Sequence, residues 1–276
     1  MNKVFDIKRF WLFLKREIIR AYNDTGLTTL ILGLTPAILF GIVQAFSLLI
    51  SGTTVRFGLC GIISYFAALV IGCIILPIKI YGPLTDKRFG SEWLMIPASR
   101  LEKFSAMMIL TCVIVPLALT AITFAVDGIC SLIFNDTYGQ VIATNFNFQD
   151  LSDYVDQRVS GDFTLDLGFK VGISIAGATI LNWIEYVVFF LLGAIIFDKS
   201  KFGKTVLCLI ALSVVSSFLC MIAIEVFDLE GILDTISIDS PEKAARIFST
   251  ITYILYAILI LVPTYFIWRR VKTLKH

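Results

Sequence analysis

The sequence predicts an all-α integral membrane protein, with six transmembrane helices preceded by an amphipathic helix at the membrane interface. Hydrophobic residues make up 58% of the 276 residues and charged residues only 16%, whereas a soluble domain carries about 25% charged residues. The mean hydropathy of +0.88 is far above the range of a water-soluble protein. The chain is therefore expected to form a single membrane domain over residues 1–276.

Six apolar runs are long enough to cross a bilayer, which takes roughly 20 residues. They cover residues 27–50, 58–80, 104–126, 171–197, 205–224 and 247–268. The first run is too long for the core of a signal peptide and has no convincing cleavage site after it, so we expect it to remain in the protein. Each run is expected to form one transmembrane helix.

Lysine and arginine predict the orientation of these spans. Eighteen of the 23 basic residues lie in the N-terminal segment, the loop between the second and third spans, the loop between the fourth and fifth spans, and the C-terminal segment. Because basic residues accumulate on the cytoplasmic side of membrane proteins, both termini are expected to be cytoplasmic. The other five bases, Arg56, Arg158, Lys170, Lys243 and Arg246, are then external.

Acidic residues are concentrated on the predicted external side. The loop at 127–170 contains Asp127, Asp136, Asp150, Asp153, Asp156, Asp162 and Asp166. It is too long for a simple connector. The spacing of Asp150, Asp153 and Asp156 suits one face of a helix. Two interpretations remain open for these three residues: a solvated face or cation binding, although their spacing is not the alternate-residue spacing of a calcium loop.

Residues 2–22 are expected to form the amphipathic helix at the interface. Its apolar side comprises Ile7, Phe10, Trp11, Leu14 and Ile18, and its charged side comprises Lys8, Lys15, Arg16 and Arg20. Such a helix lies with its apolar face in the lipid and its bases near anionic headgroups. The alternative is a helical extension that leads into the first span.

Two sets of residues inside the spans are candidates for function or for helix packing. Asn182 and Glu185 lie three residues apart in the fourth span, where a charged carboxylate costs roughly 2.5–3.5 kcal/mol. The pair either lines a polar path or forms hydrogen bonds between helices. The first span has a small residue at every fourth position: Gly33, Ala37, Gly41 and Ala45. This stripe allows another helix to approach closely, within the bundle or in a dimer.

The segment between the second and third spans contains two signals of helix boundaries. A Gly-Pro dipeptide follows Tyr81 and disfavours helix, so the second span is expected to end there. Ser99 and Glu102 have the spacing of a capping box, in which each side chain satisfies a free backbone N–H at a helix start. The third helix is therefore expected to begin near Arg100, before the apolar run.

The sequence carries no motif for catalysis by this chain alone. The Gly-Lys-Thr at Gly203–Thr205 resembles the end of a phosphate-binding loop, but Asp198 replaces the first glycine and the segment joins two spans rather than a strand and a helix. The only histidine is His276, and none of the six cysteines forms a CxxC pair. We therefore expect neither a metal nor another cofactor, and no enzymatic activity.

Two segments resemble a known family. The segments IPASRLEKF (Ile96–Phe104) and FFLLGAIIFDKSKFGKTVL (Phe189–Leu207) are similar to segments of permease-like bacterial proteins. The predicted layout also resembles the permease subunits of bacterial ABC transporters of the type-2 exporter class, and this implies the bacterial inner membrane. The better-known exporters place their large external element between the fifth and sixth spans, whereas here the longer loop follows the third.

The resemblance implies a homodimer or heterodimer of permeases that binds two cytoplasmic ABC ATPase subunits, in the lipid bilayer and without nucleic acid. The loop between the second and third spans would then couple to the ATPase through Lys87, Arg88, Glu92, Trp93, Arg100 and Glu102. Trp93 would supply apolar contact to the ATPase or to the membrane interface. The alternative for this loop is a solvated positive segment that only sets topology. The alternative function is an accessory or sensory membrane protein whose acidic external loop binds a partner.

Overall fold

The computed structural model describes residues 5–54, 58–85, 87–138, 175–226 and 241–273, and the regular structure in these ranges is entirely helical. In chain order the described α-helices are α1 (Ile7–Gly33), α2 (Thr35–Ser51), α3 (Gly58–Tyr81), α4 (Lys87–Met95), α5 (Arg100–Ile109), α6 (Val115–Ile133), α7 (Asn135–Tyr138), α8 (Ile175–Ile196), α9 (Lys201–Val226) and α10 (Pro241–Thr273). A 3-10 turn, Gly82–Thr85, follows α3, and a π-helical segment, Leu110–Ile114, joins α5 to α6. Most of the predicted loop at 127–170 lies outside the described residues.

Four helical stretches among the described residues are long and apolar enough to cross a membrane, by length and composition. They are Ile7–Ser51, Ile63–Thr85, Arg100–Ile133 and Tyr253–Thr273, and they correspond to the first, second, third and sixth apolar runs of the sequence. A shorter apolar helix, Leu181–Ile196, lies in the fourth run, and α9 covers the fifth. The predicted all-helical class, with apolar helices of membrane-spanning length, is therefore confirmed.

Helix α1 runs without interruption through the predicted boundary between residues 22 and 27. The first break falls at Leu34 instead, because Pro36 has no N–H to donate to the carbonyl of Leu32. The Thr35 hydroxyl donates to that carbonyl at 2.5 Å. The separate helix expected over residues 2–22 is thus continuous with the first apolar run, as the alternative of a helical extension requires.

Both predicted boundaries around the second loop are confirmed. Helix α3 ends at Tyr81, and α5 begins at Arg100 with a complete capping box. The Glu102 N–H donates to the Ser99 hydroxyl at 3.2 Å, and the Ser99 N–H donates to the Glu102 carboxylate at 2.7 Å. These bonds satisfy backbone donors that a helix start leaves free. The third helical stretch is therefore longer than residues 104–126, because it starts at the cap and continues to Ile133.

A proline accounts for the π-helical segment in the third stretch. Pro116 has no N–H, so the carbonyl of Cys112 lacks its usual helical donor. The N–H of Val115 donates to the carbonyl of Leu110, five residues earlier, which is the bond of a π-helix. Such a segment widens the helix locally, and it separates the capped start of this stretch from α6.

The largest buried cluster lies where α1, α3, α4, α5, α8 and α10 meet. It includes Phe13, Leu14, Leu76, Tyr81, Trp93, Met107, Leu191 and Ile267. These residues come from the parts of the helices that adjoin the basic N-terminal, second-loop, fourth-loop and C-terminal segments. We call this end of the bundle the basic end. The core therefore holds the helices together where the bases are concentrated.

This core changes the expected orientation of α1. The sequence predicts that Phe10, Leu14 and Ile18 face lipid, but in the structure these side chains pack into the core. Ile7 and Trp11, from the same predicted face, remain 75% and 62% exposed. The expected single lipid face is therefore divided, because α1 lies against α3, α5 and α6 rather than alone on a membrane surface.

The opposite end of the third stretch also differs from the expectation. Asp127, predicted as the first acid of the external loop at 127–170, is fully buried within α6. Its Oδ1 accepts a hydrogen bond of 2.7 Å from the Tyr138 hydroxyl, and the Tyr138 ring packs edge-on against Phe40 at 5.1 Å. Because α6 continues past residue 126, Asp127 belongs to a buried contact within the protein and not to the external loop.

Helices α8 and α9 approach each other closely at Gly193. A Cβ at this position would lie 2.8 Å from the Cβ of Thr205, closer than side chains pack. We predict that Gly193→Ala lowers the free energy of unfolding by about 1–3 kcal/mol, the usual cost of overpacking. Gly203→Ala is the matched control, because a Cβ there would meet nothing within 4 Å. Equal melting temperatures of the two variants in detergent would contradict this close contact.

Candidate functional site

Charged side chains bring together several helix ends at the basic end of the bundle. We call this cluster the polar junction; it comprises Arg9, Glu17, Arg20, Tyr81, Glu102 and Lys103. Glu17, Glu102 and Lys103 are at most 4% exposed. Charged groups are almost never buried so completely unless they are paired, so the contacts of these three residues determine how the helix ends fit together.

Glu102 joins the start of α1 to the start of α5. Its carboxylate accepts hydrogen bonds from the Arg9 Nε at 2.8 Å and the Arg9 Nη2 at 2.7 Å, a bidentate pair. It also accepts from the backbone N–H of Asp6 at 2.8 Å and of Ser99 at 2.7 Å. A residue that caps its own helix therefore also holds a helix that begins more than ninety positions earlier in the chain.

The ionisation of Glu102 follows from these contacts. Burial alone would raise the pKa of this carboxyl, but the hydrogen bond from Arg9 and the backbone N–H groups of Asp6 and Ser99 favour the charged form and hold the pKa at about 2. Glu102 is therefore a carboxylate at neutral pH. The contact between α1 and α5 is a charge-assisted one under ordinary conditions.

Lys103 joins α5 to the end of α4. Its Nζ donates to the carbonyls of Trp93 at 2.9 Å and Leu94 at 3.0 Å, and it lies 5.0 Å from the centre of the Trp93 ring. Because α4 ends at Met95, these carbonyls belong to its last turn, where backbone acceptors lack partners within the helix. Lys103 thus caps α4 from the following helix.

Trp93 lies inside the protein and not on a surface for a partner. Its side chain is 2% exposed and packs edge-on against Phe13 at 6.4 Å. Its Nε1 has no hydrogen-bond partner within the described part of the chain. The predicted contact of Trp93 with an ATPase or with lipid is therefore corrected, because the side chains of α1 and α5 surround the ring.

Glu17 and Arg20 join α1 to the end of α3. Glu17 is 1% exposed; it accepts from the Arg20 Nη1 at 2.7 Å and from the Tyr81 hydroxyl at 3.4 Å. Arg20 Nη2 donates to the carbonyl of Ile80 at 2.7 Å, and the guanidinium lies 5.6 Å from the centre of the Tyr81 ring. Arg20, predicted on the charged side of the interfacial helix near anionic headgroups, is therefore part of a helix contact.

Glu102 is a predicted site residue, whereas Arg9, Glu17 and Lys103 are not among the predicted site residues. Glu17 carried a detectable signal, since Leu14 lies three residues before it on the same side of the helix. Lys103 carried none, because its burial depends on carbonyls at the end of α4. A further contact of this kind is the Lys201 Nζ at the start of α9, which donates to the carbonyl of Gly82.

The other predicted coupling residues lie along α4 and at the start of α5. Lys87 and Arg88 form the first turn of α4, and their side chains are outside the described part. Glu92 and Arg100 are exposed, and Met95 is 81% exposed. Helix α4 is therefore anchored on the side of Trp93 and exposed on the side of Glu92 and Met95.

The predicted intramembrane pair is not brought together as a unit. The Asn182 Oδ1 accepts a hydrogen bond of 3.0 Å from the Tyr256 hydroxyl, which links α8 to α10. Glu185 is half-buried, and it forms no hydrogen bond or ion pair with any residue in the described ranges. Asn182 thus has a helix-linking contact, whereas Glu185 remains a candidate for either role.

The four small residues of the first apolar run lie in different environments. Gly33 is buried, and a Cβ there would lie 2.9 Å from the Ile122 Cβ of α6. Ala37 is half-buried, while Gly41 and Ala45 are exposed. The stripe therefore serves internal packing at Gly33, and its other end lies on the surface of α2.

No family model matches this chain, and no curated protein or solved structure matches it. Among the described residues, no group of three or more His, Cys, Asp or Glu side chains could hold a metal ion. The function is therefore inferred from the polar junction and α4, together with the resemblance carried by residues 96–104 and 189–207.

We predict that Glu102→Ala destabilises the protein by about 1–3 kcal/mol, because it removes the acceptor of two backbone N–H groups and a guanidinium. Asp24→Ala is the matched acidic control. Its carboxylate is 53% exposed and lies 3.6 Å from the Arg20 Nε, a surface pair worth about 0–1 kcal/mol. Thermal unfolding in detergent measures the stability of both variants. Equal losses of stability in Glu102→Ala and Asp24→Ala would contradict the role of Glu102.

The same pair of variants predicts a pH dependence. The pKa of Glu102 is depressed to about 2 in the folded protein, against roughly 4.3 in an unfolded chain. The contribution of the Glu102 carboxylate to the free energy of unfolding is therefore complete above the pKa of the unfolded chain, and it is lost as the pH falls toward 2. The difference in melting temperature between the wild type and Glu102→Ala should shrink over that window and be constant above it.

Proposed function

We propose that this chain is the membrane-spanning subunit of an ABC-type exporter, which moves its substrate with energy from a separate cytoplasmic ATPase. The observation that carries the proposal is the arrangement of α4. This short helix connects two helices of membrane-crossing length, and Lys103 anchors one side of it while the other side is exposed. Such a helix is suited to receive a displacement from a partner and to pass it to a span.

In the proposed topology the protein has six spans, and the polar junction, α4 and both termini lie in the cytoplasm of a bacterial cell. The concentration of 18 of the 23 bases at one end of the predicted spans supports this orientation. Four helical stretches of sufficient length support four of the spans, and α8 and α9 would supply the other two.

The polar junction gives the proposed coupling a physical path. A displacement of α4 would act on Lys103, whose ammonium group holds the last carbonyls of α4. Lys103 lies in the first turns of α5, so the start of the third span would move with α4. The adjacent Glu102 would transmit the same displacement to α1 through Arg9.

The surface offered to the ATPase is the exposed side of α4. Met95 would supply apolar contact, and Glu92 together with Lys87, Arg88 and Arg100 would supply charge that sets the register of docking. Trp93 and Glu102 act as positioning residues in this proposal, because both are buried. A second permease, identical or different, would complete the exporter, and the exposed part of the stripe at Gly41 and Ala45 is available for that contact.

Sidedness is the first test. Single cysteines at Ser152 and Ser200, in a cysteine-free chain, are predicted to react from opposite sides of intact cells, because the loop at 127–170 and the loop before α9 are on opposite sides in the six-span topology. Labelling of Ser152→Cys alone by a membrane-impermeant maleimide is the expected result. Labelling of both positions would rule this topology out.

Coupling is the second test. The double variant Glu92→Ala with Met95→Ala is predicted to reduce co-purification of a candidate ABC ATPase several-fold. Because both side chains are exposed, the double variant should lower the free energy of unfolding by no more than about 1 kcal/mol, the scale of a surface contact. Leu132→Ala is the control, since Leu132 is 86% exposed at the other end of the third stretch. Trp93→Ala should instead lower stability by about 3–5 kcal/mol, as loss of a buried aromatic does.

The outcomes separate the candidate functions. Undiminished ATPase binding and transport in the Glu92/Met95 double variant would refute the coupling role of α4. If no ATPase binds the wild-type chain at all, the exporter proposal fails, and the alternative of an accessory or sensory protein that acts through its acidic loop is favoured.

A further inference from the structure

A groove of about 620 Å³ runs along the side of the bundle between α1 and the third helical stretch. One wall is formed by α1 from Ile18 to Leu30, and the other by Leu110, Ile114, Ala118 and Ile122. The groove opens sideways, since Tyr22 and Leu27 at its edge are 75% and 74% exposed. Its volume lies within the range of sites that hold a small ligand, about 300–1,000 Å³.

The walls of the groove are apolar along most of their length. The two threonines of the α1 wall use their hydroxyls within the helix: Thr25 donates to the carbonyl of Ala21 at 2.7 Å, and Thr29 donates to the carbonyl of Thr25 at 3.0 Å. Gly26 adds no side chain. The opposite wall is built from aliphatic side chains. Such a surface has few partners for water, which needs polar groups to be held.

A polar and aromatic stripe continues the α1 wall toward the basic end. Lys8, Trp11, Lys15, Ile18 and Tyr22 follow one another at intervals of three and four residues, so they lie along one side of the helix. Trp11 is 62% exposed, and both lysines are exposed. The groove therefore leads from aliphatic walls to two aromatic rings and two ammonium groups on the same side of α1.

We propose that this groove binds one anionic phospholipid of the surrounding bilayer, with an acyl chain between α1 and α6 and the phosphate beside Lys15 and Lys8. Acyl chains are the apolar molecules that surround a helix of membrane-crossing length. Long lysine side chains extend toward a headgroup, and tryptophan and tyrosine favour the same level of the membrane. Bases near the membrane surface attract anionic lipids, so the order of groups along the stripe matches the order of groups in the lipid.

A second copy of the chain fits this surface less well. A two-fold contact apposes the same patch on both copies, so it would bring Lys8 and Lys15 of one copy toward those of the other. The lipid requires no such apposition of like charges. The proposal needs only that the helices lie in a membrane and is independent of transport.

The test is native mass spectrometry of the full chain in a non-ionic detergent with equal amounts of phosphatidylglycerol and phosphatidylcholine. The wild type should retain one phosphatidylglycerol in preference to phosphatidylcholine. Lys15→Gln should lower that preference about fivefold, the effect of one lysine near an anionic surface. Arg16→Gln is the matched control, because Arg16 is an exposed base about 100° further round the helix, and it should retain the preference.

Groove-filling variants test the position of the acyl chain. Ala118→Phe should abolish retention of both lipids, whereas Leu117→Phe should not, because Leu117 is 59% exposed and does not line the groove. Gly26→Leu fills the groove from the α1 wall. It replaces Ala118→Phe in this test if Ala118→Phe does not fold. A Cβ at Gly26 makes only ordinary contacts with the Tyr22 ring, at 3.5 Å or more.

Three results would overturn the proposal. Wild-type retention of lipid in folded Ala118→Phe or Gly26→Leu would show that the lipid is not in the groove. An unchanged preference in Lys15→Gln would show that this lysine does not bind the headgroup. A lipid-free dimer that the groove-filling variants dissociate would show that a second copy occupies the groove.

Discussion

The carboxylate of Glu102 is the contact on which the arrangement of the basic end depends. It is fully buried, and an unpaired carboxylate in such a place would cost far more than a single hydrogen bond returns. Its cost is offset by four donors, of which two are from Arg9 and one is the backbone N–H of Asp6. Three of the four donors belong to the start of α1. The contact between α1 and α5 and the buried site of the Glu102 carboxylate therefore form together.

The neighbouring Lys103 extends this dependence to α4. Glu102 and Lys103 are adjacent in sequence, yet their side chains serve different helices: one binds the start of α1 and the other the end of α4. An adjacent pair on α5 therefore determines the position of two other elements. Glu17 adds a separate contact between α1 and the end of α3, through its hydrogen bonds with Arg20 and Tyr81. The polar junction is thus a set of contacts between helix ends, each of which satisfies groups that a helix end or a buried charge leaves without a partner.

The sequence was sufficient for features that local chemistry determines. The end of α3 at Tyr81 and the cap at Ser99 follow from residues within four positions of each boundary, and the membrane-length helices follow from composition. The sequence was insufficient where one broad side of a helix was apolar throughout. Trp11 and Leu14 lie three residues apart on the apolar side of α1, and only the packing partners of the helix bury Leu14 and leave Trp11 exposed.

The candidate site shows the same limit. Glu102 was found through its cap, but its pairing with Arg9 joins residues 93 positions apart, which spacing cannot reveal. Trp93 is assigned to a contact surface because it lies in a charged segment that is longer than a connector between two spans needs, whereas Lys103 and Phe13 enclose it. Asp127 is assigned to the external loop because the predicted third span ends before it, yet a hydrogen bond from the Tyr138 hydroxyl makes its burial possible.

The third helical stretch begins with α5, which is firmly held, and continues into a π-helical segment that can bend. This arrangement limits how a displacement of α5 reaches α6. Helix α5 is held by its capping box, by Arg9 and by α4, so a displacement applied at the polar junction would move it as one body. Beyond Ile109 the π-helical segment and Pro116 interrupt the regular ladder of hydrogen bonds, and helices bend preferentially at such points. On the far side, α6 is tightly packed against α3, because a Cβ at Gly72 would lie 2.5 Å from a methyl group of Leu119. A displacement of α4 would therefore be expressed mainly as a change of angle at Leu110–Ile114, which also forms part of the wall of the groove between α1 and the third helical stretch.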